Sequence, residues 1–248
     1  MHPPGSLIAI ASGKGGVGKT WFAITLAHAL AAHSQRVLLV DADFGLANID
    51  IQLGLMPDRD LATVLAGTIP LREAILHHDI GIDIIPGRSG APALASLPPH
   101  ALETLLTDLR ALATTYDVVL LDLGSGVDPA LRHLAAEADA LLLVVTEEPT
   151  SLTDGYAVLK LHAQDCQRTV PRHIVVNQAT TAASGQRVFA TLTQACRRYL
   201  AFAPTLLGII RRDDRVRDAI RRQTPLLRRH PATPAARDTE AIAATILA

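Results

Sequence analysis

The sequence predicts an α/β fold built on a mostly parallel, twisted sheet with helices on both faces, and three observations predict it. Short apolar runs recur along the chain. Stretches of helical periodicity separate them, and polar residues stand where the runs end. Strands buried on both faces read as continuous apolar runs, and long connections are what parallel pairing needs. Without internal repeats or a low-complexity block, residues 1–248 read as one domain.

The elements follow in order. Leu7–Ala11 is an apolar strand that ends at a glycine-rich loop. From Thr20 to about Ala32 the pattern is helical, with Phe22, Leu26, Ala29 and Leu30 on one face. Arg36–Val40 is a second strand, closed by Asp41-Ala42-Asp43. Asp58–Leu65 and Leu71–Leu76 are expected to be short helices. Ile82–Ile85 is a strand stopped by Pro86-Gly87, and a Gly/Ser/Pro-rich loop from Arg88 to Pro99 leads into a helix over His100–Ala113. Val118–Leu121 and Ala140–Val145 are strands with a helix between them, the first ending at Asp122. A helix over about Thr150–Ala163 precedes the strand His173–Val176, which ends at Asn177. Gly185–Leu200 is helical, Thr205–Ile210 is a strand, and Arg215–Arg222 and Ala235–Ile246 are closing helices.

Composition narrows the class. Hydrophobic residues make up 49%, charged residues 19% and aromatics 3%, with a mean hydropathy of +0.25, so the chain has a core to bury and that core is aliphatic. No apolar run reaches the ~18–20 residues of a membrane span. Cys166 and Cys196 are too few for a disulfide scaffold or a four-ligand zinc site. Met1-His2-Pro3-Pro4-Gly5 lacks the basic flank of a signal peptide, so a cytoplasmic location is expected. The net charge of −1 hides an asymmetry: residues 197–237 carry eleven arginines against three aspartates, an excess of +8 that leaves −9 elsewhere.

Only three lysines occur, and two of them, Lys14 and Lys19, fall in one eight-residue stretch. Gly13-Lys14-Gly15-Gly16-Val17-Gly18-Lys19-Thr20 fits the strand–GxxxxGK[ST]–helix pattern. Glycines let backbone N–H groups turn inward around phosphate oxygens, and a helix N-terminus favours negative charge. Lys19 supplies a point charge for the β/γ phosphates, and the Thr20 hydroxyl is a hard ligand for Mg²⁺. Asp41/Asp43, Asp122 and Asn177 stand at strand ends beside this loop, where open α/β sheets bind ligands.

The additional lysine makes the loop resemble the deviant phosphate loop, KGGxGK[ST], of MinD/ParA-type ATPases. Asp41–Asp50 is similar to their switch I, and Leu120-Leu121-Asp122-Leu123-Gly124-Ser125-Gly126 to their Walker B and switch II. Within that group, three segments resemble flagellar-number regulators of the FlhG type: Asp43–Asp50, Thr146–Asp154 with Tyr156, and Arg221–Leu227. Pro231–Arg237 fits the same type. The resemblance implies an ATP-binding, Mg²⁺-dependent hydrolase that forms an ATP-dependent homodimer and acts on a flagellar regulatory or assembly protein. It implies that Gly13, Lys14, Gly15, Gly16, Val17, Gly18, Lys19, Thr20 and the neighbouring Trp21 surround the nucleotide. Lys14 would reach the partner's phosphates across the dimer. Asp43 would orient the attacking water and assist the metal shell, with Thr20 and Asp122 on Mg²⁺. Glu148 would touch the partner-bound ribose and Asn177 the adenine.

Each role has a plainer counterpart. Asp41 fits a helix-capping or loop-stabilising residue as well as a catalytic one, Asp122 a turn aspartate, and Asn48 a turn former. Guanine's donors need a carboxylate, but the strand end reads Asn177-Gln178-Ala179-Thr180, which favours ATP over GTP. Trp21 stands where relatives carry a small hydroxyl residue, and is expected to pack against the sheet. The six residues before the first strand do not resemble the segment with which FlhG-type proteins stimulate a partner GTPase, so that activity is not expected. Arg237–Ala248 has one cation and no aromatic, which predicts a packed helix and weak or absent membrane binding. The arginine-rich 197–229 segment reads either as a solvated helix face with the adenine-pocket loop or as a patch for an acidic partner or DNA. Two other functions therefore stand beside the flagellar one: a ParA-type partition ATPase on DNA, and a MinD-like division-site ATPase.

Overall fold

A computed structural model describes residues 4–43, 45–89 and 99–248. Eight strands form one sheet: β1 (Ser6–Ser12), β2 (Val37–Ala42), β3 (Leu76–His78), β4 (Ile82–Ile85), β5 (Val118–Ser125), β6 (Ala140–Val145), β7 (Arg172–Ala179) and β8 (Thr205–Arg211). Their spatial order is β3-β4-β2-β5-β1-β6-β7-β8, and every pair is parallel except β3 with β4. This is the predicted fold class, with the shared carboxyl edge of seven parallel strands available to a ligand.

The alternation of side chains along β1 sorts the helices into two layers. Leu7, Ala9 and Ala11 face one way and pack with α3 (Leu61–Leu65), α4 (Pro99–Ala113), α5 (Pro129–Glu137), α6 (Pro149–Asp165) and α7 (Ala182–Tyr199). Ile8 and Ile10 face the other way, toward α1 (Lys19–Ala32), α2 (Ile49–Leu53), α8 (Asp214–Arg221), α9 (Leu226–Arg229) and α10 (Pro234–Leu247). β1 is fully enclosed, as its unbroken apolar run requires. α10 sits close to β8 because Gly208 has no side chain: a Cβ there would lie 2.3 Å from Ile242 Cγ1.

Several boundaries differ from expectation. The predicted helix over Leu71–Leu76 is a 3₁₀ turn, Leu71–Ala74, followed by the antiparallel strand β3. The helix expected from Asp58 starts at Leu61, because the Asp60 side chain accepts the Thr63 N–H and caps it. Helix α2 was not foreseen, nor was α9. The Gly/Ser/Pro-rich loop expected from Arg88 to Pro99 falls largely on residues 90–98, outside the described residues, as does Phe44. The final helix packs on the domain as expected, with Ala235, Ala236, Ile242, Ala243 and Ile246 buried. No helix among the described residues is long and apolar enough to cross a membrane.

Candidate functional site

The glycine-rich loop leaves β1 and enters α1 through Gly18, the N-cap, whose φ of 86° is a left-handed conformation that glycine adopts without strain. A Cβ at Gly18 would also fall 2.5 Å from Asn177 Nδ2, so the loop is seated directly on the end of β7. At its other end a Cβ on Gly13 would meet the Asp154 carbonyl carbon at 2.3 Å, which presses the loop against α6. Lys19, the first residue of α1, is buried, and its Nζ donates to Asp122 Oδ1 at 2.9 Å. Asp122 Oδ2 is buried too and has no hydrogen-bond partner.

The parallel register explains a second buried carboxylate. Asp41 on β2 stands directly beside Asp122 on β5. Burial, and then the Asp122 charge, push the Asp41 carboxyl up to about 7, against three amides that favour its ionised form. Those amides belong to Asp43 at 3.2 Å and to Asn48 and Ile49 at 3.0 Å. Asp41 is thus a loop-stabilising residue that anchors the start of α2, one of the plainer roles weighed for it. Asn48 is the N-cap residue of α2, but its side chain bonds the Leu46 carbonyl rather than the helix.

The remaining residues predicted for the site divide between two adjoining clefts. The first, about 270 Å³, is lined by the loop from Lys14 through Trp21 together with Asp43, Leu46, Asn48 and Gln52. Asp43 Oδ1 accepts the Leu46 N–H at 3.0 Å, and Gly124 leaves room beside it: a Cβ there would sit 3.4 Å from that oxygen. Thr20 and the almost fully buried Lys19 both line this cleft, while Asp122 lies buried beneath the loop. The second cleft, also about 270 Å³, is lined by Gly16, Gly18, Trp21, Asn177 and Gln178 and by the segment that leaves β8. Trp21 is 5% exposed, packs within the core as expected, and borders both clefts.

Asn177 spends its first hydrogen bonds on the protein. Nδ2 donates to Val17 O at 2.7 Å, and Oδ1 accepts the Gln178 N–H at 2.9 Å. Each atom keeps one further hydrogen-bonding valence. Lys14 points away from the loop's centre: its Nζ pairs with the Glu148 carboxylate and donates to Thr150 Oγ1 at 3.0 Å. That pairing holds the Glu148 carboxyl below its ordinary range. Glu148 and Lys14 are therefore brought together within one chain, a contact not anticipated from the sequence.

Sequence reasoning placed a pocket loop somewhere within the arginine-rich 197–229 segment, as one of two readings, but named no residue of the second cleft's far wall. That wall consists of Ile210, Arg211, Arg212, Asp213, Asp214 and the Val216, Arg217 and Ile220 face of α8. Asp213 caps α8 through the Arg215 N–H at 2.9 Å. The strand-end rule that singled out Asp41, Asp122 and Asn177, applied to β8, would have pointed here.

A glycine loop at a helix N-terminus, a buried lysine–aspartate pair beneath it and a second cleft along the same sheet edge define a phosphate-loop nucleotide-binding protein. Residues 8–226 match the CobQ/CobB/MinD/ParA nucleotide-binding domain model, and the chain belongs to that family. It is 38% identical over 243 residues to the antiactivator FleN of Pseudomonas aeruginosa, a match covering 98% of this chain and 86% of FleN. It is 28% identical over 194 residues to the flagellum site-determining protein YlxH of Helicobacter pylori, covering 78% of this chain and 65% of YlxH. In fold it is similar to the cell-division ATPase MinD of Pyrococcus furiosus, with a TM-score of 0.82 at 24% identity and 98% of both chains covered. The Pyrococcus horikoshii MinD structure, a complex with Mg-ADP, gives 0.81 at 24% identity, with 97% and 95% covered.

Proposed function

We propose that this protein is an ATP-driven dimerisation switch that controls flagellar number or placement. The observation that carries the chemistry is the division of labour between the two loop lysines. Lys19 is buried and fixed on Asp122, whereas Lys14 is half-exposed and held by Glu148 and Thr150. The similarity to FleN and YlxH carries the flagellar part of the reading.

Mg-ATP fits the residues present. The amides of Gly15–Gly18 with Lys19 would hold phosphates, and the cleft between Asn177 and α8 would take adenine. The unpartnered Asp122 Oδ2 and the Thr20 hydroxyl offer hard oxygen to a cation. Among the described residues no group of three or more His, Cys, Asp or Glu is placed to hold a metal alone. That donor set suits Mg²⁺, which keeps waters and phosphate oxygens in its shell. When bound, the nucleotide supplies the transferable phosphoryl group, and the cation supplies charge neutralisation.

The chain's own residues then have distinct work. Lys19 and the loop amides bind and orient phosphate oxygens. The Asp43 carboxylate, steadied by the Leu46 N–H and opposite the space left by Gly124, holds a water in line. Lys14 leaves Glu148 to neutralise phosphate on a second copy. A Lys14→Ala variant should bind nucleotide yet stay monomeric and inactive, whereas Asp43→Ala should accumulate as an ATP-bound dimer. Size-exclusion chromatography with ATP and Mg²⁺ decides. Dimerisation of Lys14→Ala like the parent would remove the cross-dimer role.

A second reading, a partition ATPase on DNA, draws on α8. Arg215, Arg217 and Arg221, with Arg222 at its C-cap, are exposed and make no ion pair among the described residues. DNA binding that falls steeply with salt would favour it over the flagellar switch.

A further inference from the structure

The Arg221–Leu227 segment, one of those that set this chain apart in sequence, contains a contact that the nucleotide reading does not use. Gln223 follows the last turn of α8 with φ = 50°, a left-handed conformation that costs a non-glycine residue free energy unless its surroundings hold it there. Two hydrogen bonds hold it. Its backbone N–H donates to Ile220 O at 3.0 Å, and its side-chain Nε2 donates to Ile51 O on α2 at 2.9 Å. Gly54, the left-handed C-cap of α2 with φ = 67°, lies against the same side chain: a Cβ at Gly54 would meet Gln223 Cβ at 3.2 Å.

Gln223 is thus seated on a residue of one cleft wall and grips the helix that borders the other. Ile220 lines both clefts, and Val216 and Arg217 of the same helix line the base cleft. On α2, Gln52 lines the phosphate cleft, and the helix start is pinned by the Asn48 and Ile49 amides on Asp41. Helix α2 has only five residues and cannot hold its own geometry. Its two ends are positioned by Asp41 and by Gln223, and Asp43 lies in the loop between β2 and α2.

We propose that Gln223 is a positioning residue that couples occupation of the base cleft to the placement of α2, and through α2 to the Asp43 loop. A base packed on Val216 and Ile220 fixes α8. The Gln223 amide carries that constraint to the Ile51 carbonyl. Phosphates alone do not reach Val216 and Arg217, which line only the base cleft, so the base adds a hold on α8 that contributes to the geometry of the phosphate side as well as to affinity. The inference rests on the nucleotide reading above.

Hydrogen exchange tests it, using Mg-ADP and Mg-pyrophosphate as probes. The reporters are the Gly54 and Leu55 amides, which close α2 on Ile51 O and Asp50 O. In the parent protein, saturating ADP should slow their exchange about fivefold more than saturating pyrophosphate, a modest coupling between sites. In Gln223→Gly the two ligands should protect these amides equally, with ADP affinity nearly unchanged. That variant relieves the left-handed strain, so it separates lost coupling from lost stability. Gln223→Arg, which keeps a donor of similar reach, should restore the difference. Extra protection by ADP that persists in Gln223→Gly overturns the proposal, as does equal protection by two bound ligands in the parent. If pyrophosphate binds the parent and ADP binds no better, the base-cleft reading fails and takes this inference with it.

Discussion

The cleft proposed for the phosphates and the cleft proposed for the base meet at Trp21 and are made of different materials. The phosphate side is walled mostly by the backbone of one continuous loop, above a buried ion pair. On the base side, the wall is assembled from Gly16 and Gly18, Asn177 and Gln178 and the 210–220 segment, and its charged groups are Arg211, Arg212 and Arg217 with Asp213 and Asp214. The first kind of site is a local pattern, and a few glycines at fixed spacing specify it. The second exists only after three distant segments are folded together.

The sharpest way to test that contrast is Lys19→Met. On the phosphate side it removes the cation from a fully buried carboxylate. Stability in urea should fall by ~3 kcal/mol, the usual cost of stranding a buried charge, and nucleotide affinity by about 100-fold or more. Adding Asp122→Asn should recover most of the stability and none of the binding. If Lys19→Met alone leaves stability unchanged, the buried pair is not what supports the loop.

A smaller effect separates the sides by titration. Asp41 lies behind the phosphate loop, away from the base cleft, and its carboxyl is pushed up to about 7. The unfolded chain ionises this carboxyl near its ordinary value of 3.8, so between there and 7 the folded state binds more protons. The contribution of Asp41 to stability is therefore full below pH ~4 and is lost as pH rises toward 7, by about 1.4 kcal/mol per pH unit at the steepest. Asp41→Asn should flatten that part of the stability–pH curve. An unchanged slope would mean that the three amides outweigh burial.

The smallest effect is expected at Glu148→Gln. Its ion pair with Lys14 is more than a third exposed on both partners, and such pairs contribute ~0–1 kcal/mol. Thermal stability should barely move. A large loss would show that the pair is structural rather than a loose hold on Lys14.

How much of this could be read from the residues follows the same division. The loop, Asp41, Asp122 and Asn177 were legible because each is a polar residue ending an apolar run. The sheet and most helices were legible because their faces repeat with fixed periods. Leu71–Leu76 misled because four residues of 3₁₀ turn and three of edge strand are too short for any period to show. Helix α2 was hidden because its start depends on a carboxylate eight residues upstream of Ile49. The Lys14–Glu148 contact spans 134 residues and has no local signature. Arg211–Ile220 was visible as a charged stretch, but its place as a cleft wall depends on β8 lying beside β7.

Trp21 gives the molecule a property of an optical kind. It is the sole tryptophan in the chain, with its ring at the junction of the two clefts and its indole Nε1 buried without a partner. Indole emission depends on the dipoles and water around the ring, and with excitation beyond the absorption of the three tyrosines one fluorophore reports from one place. This residue, in the first turn of α1, thus makes the unlabelled protein its own spectroscopic probe of both clefts.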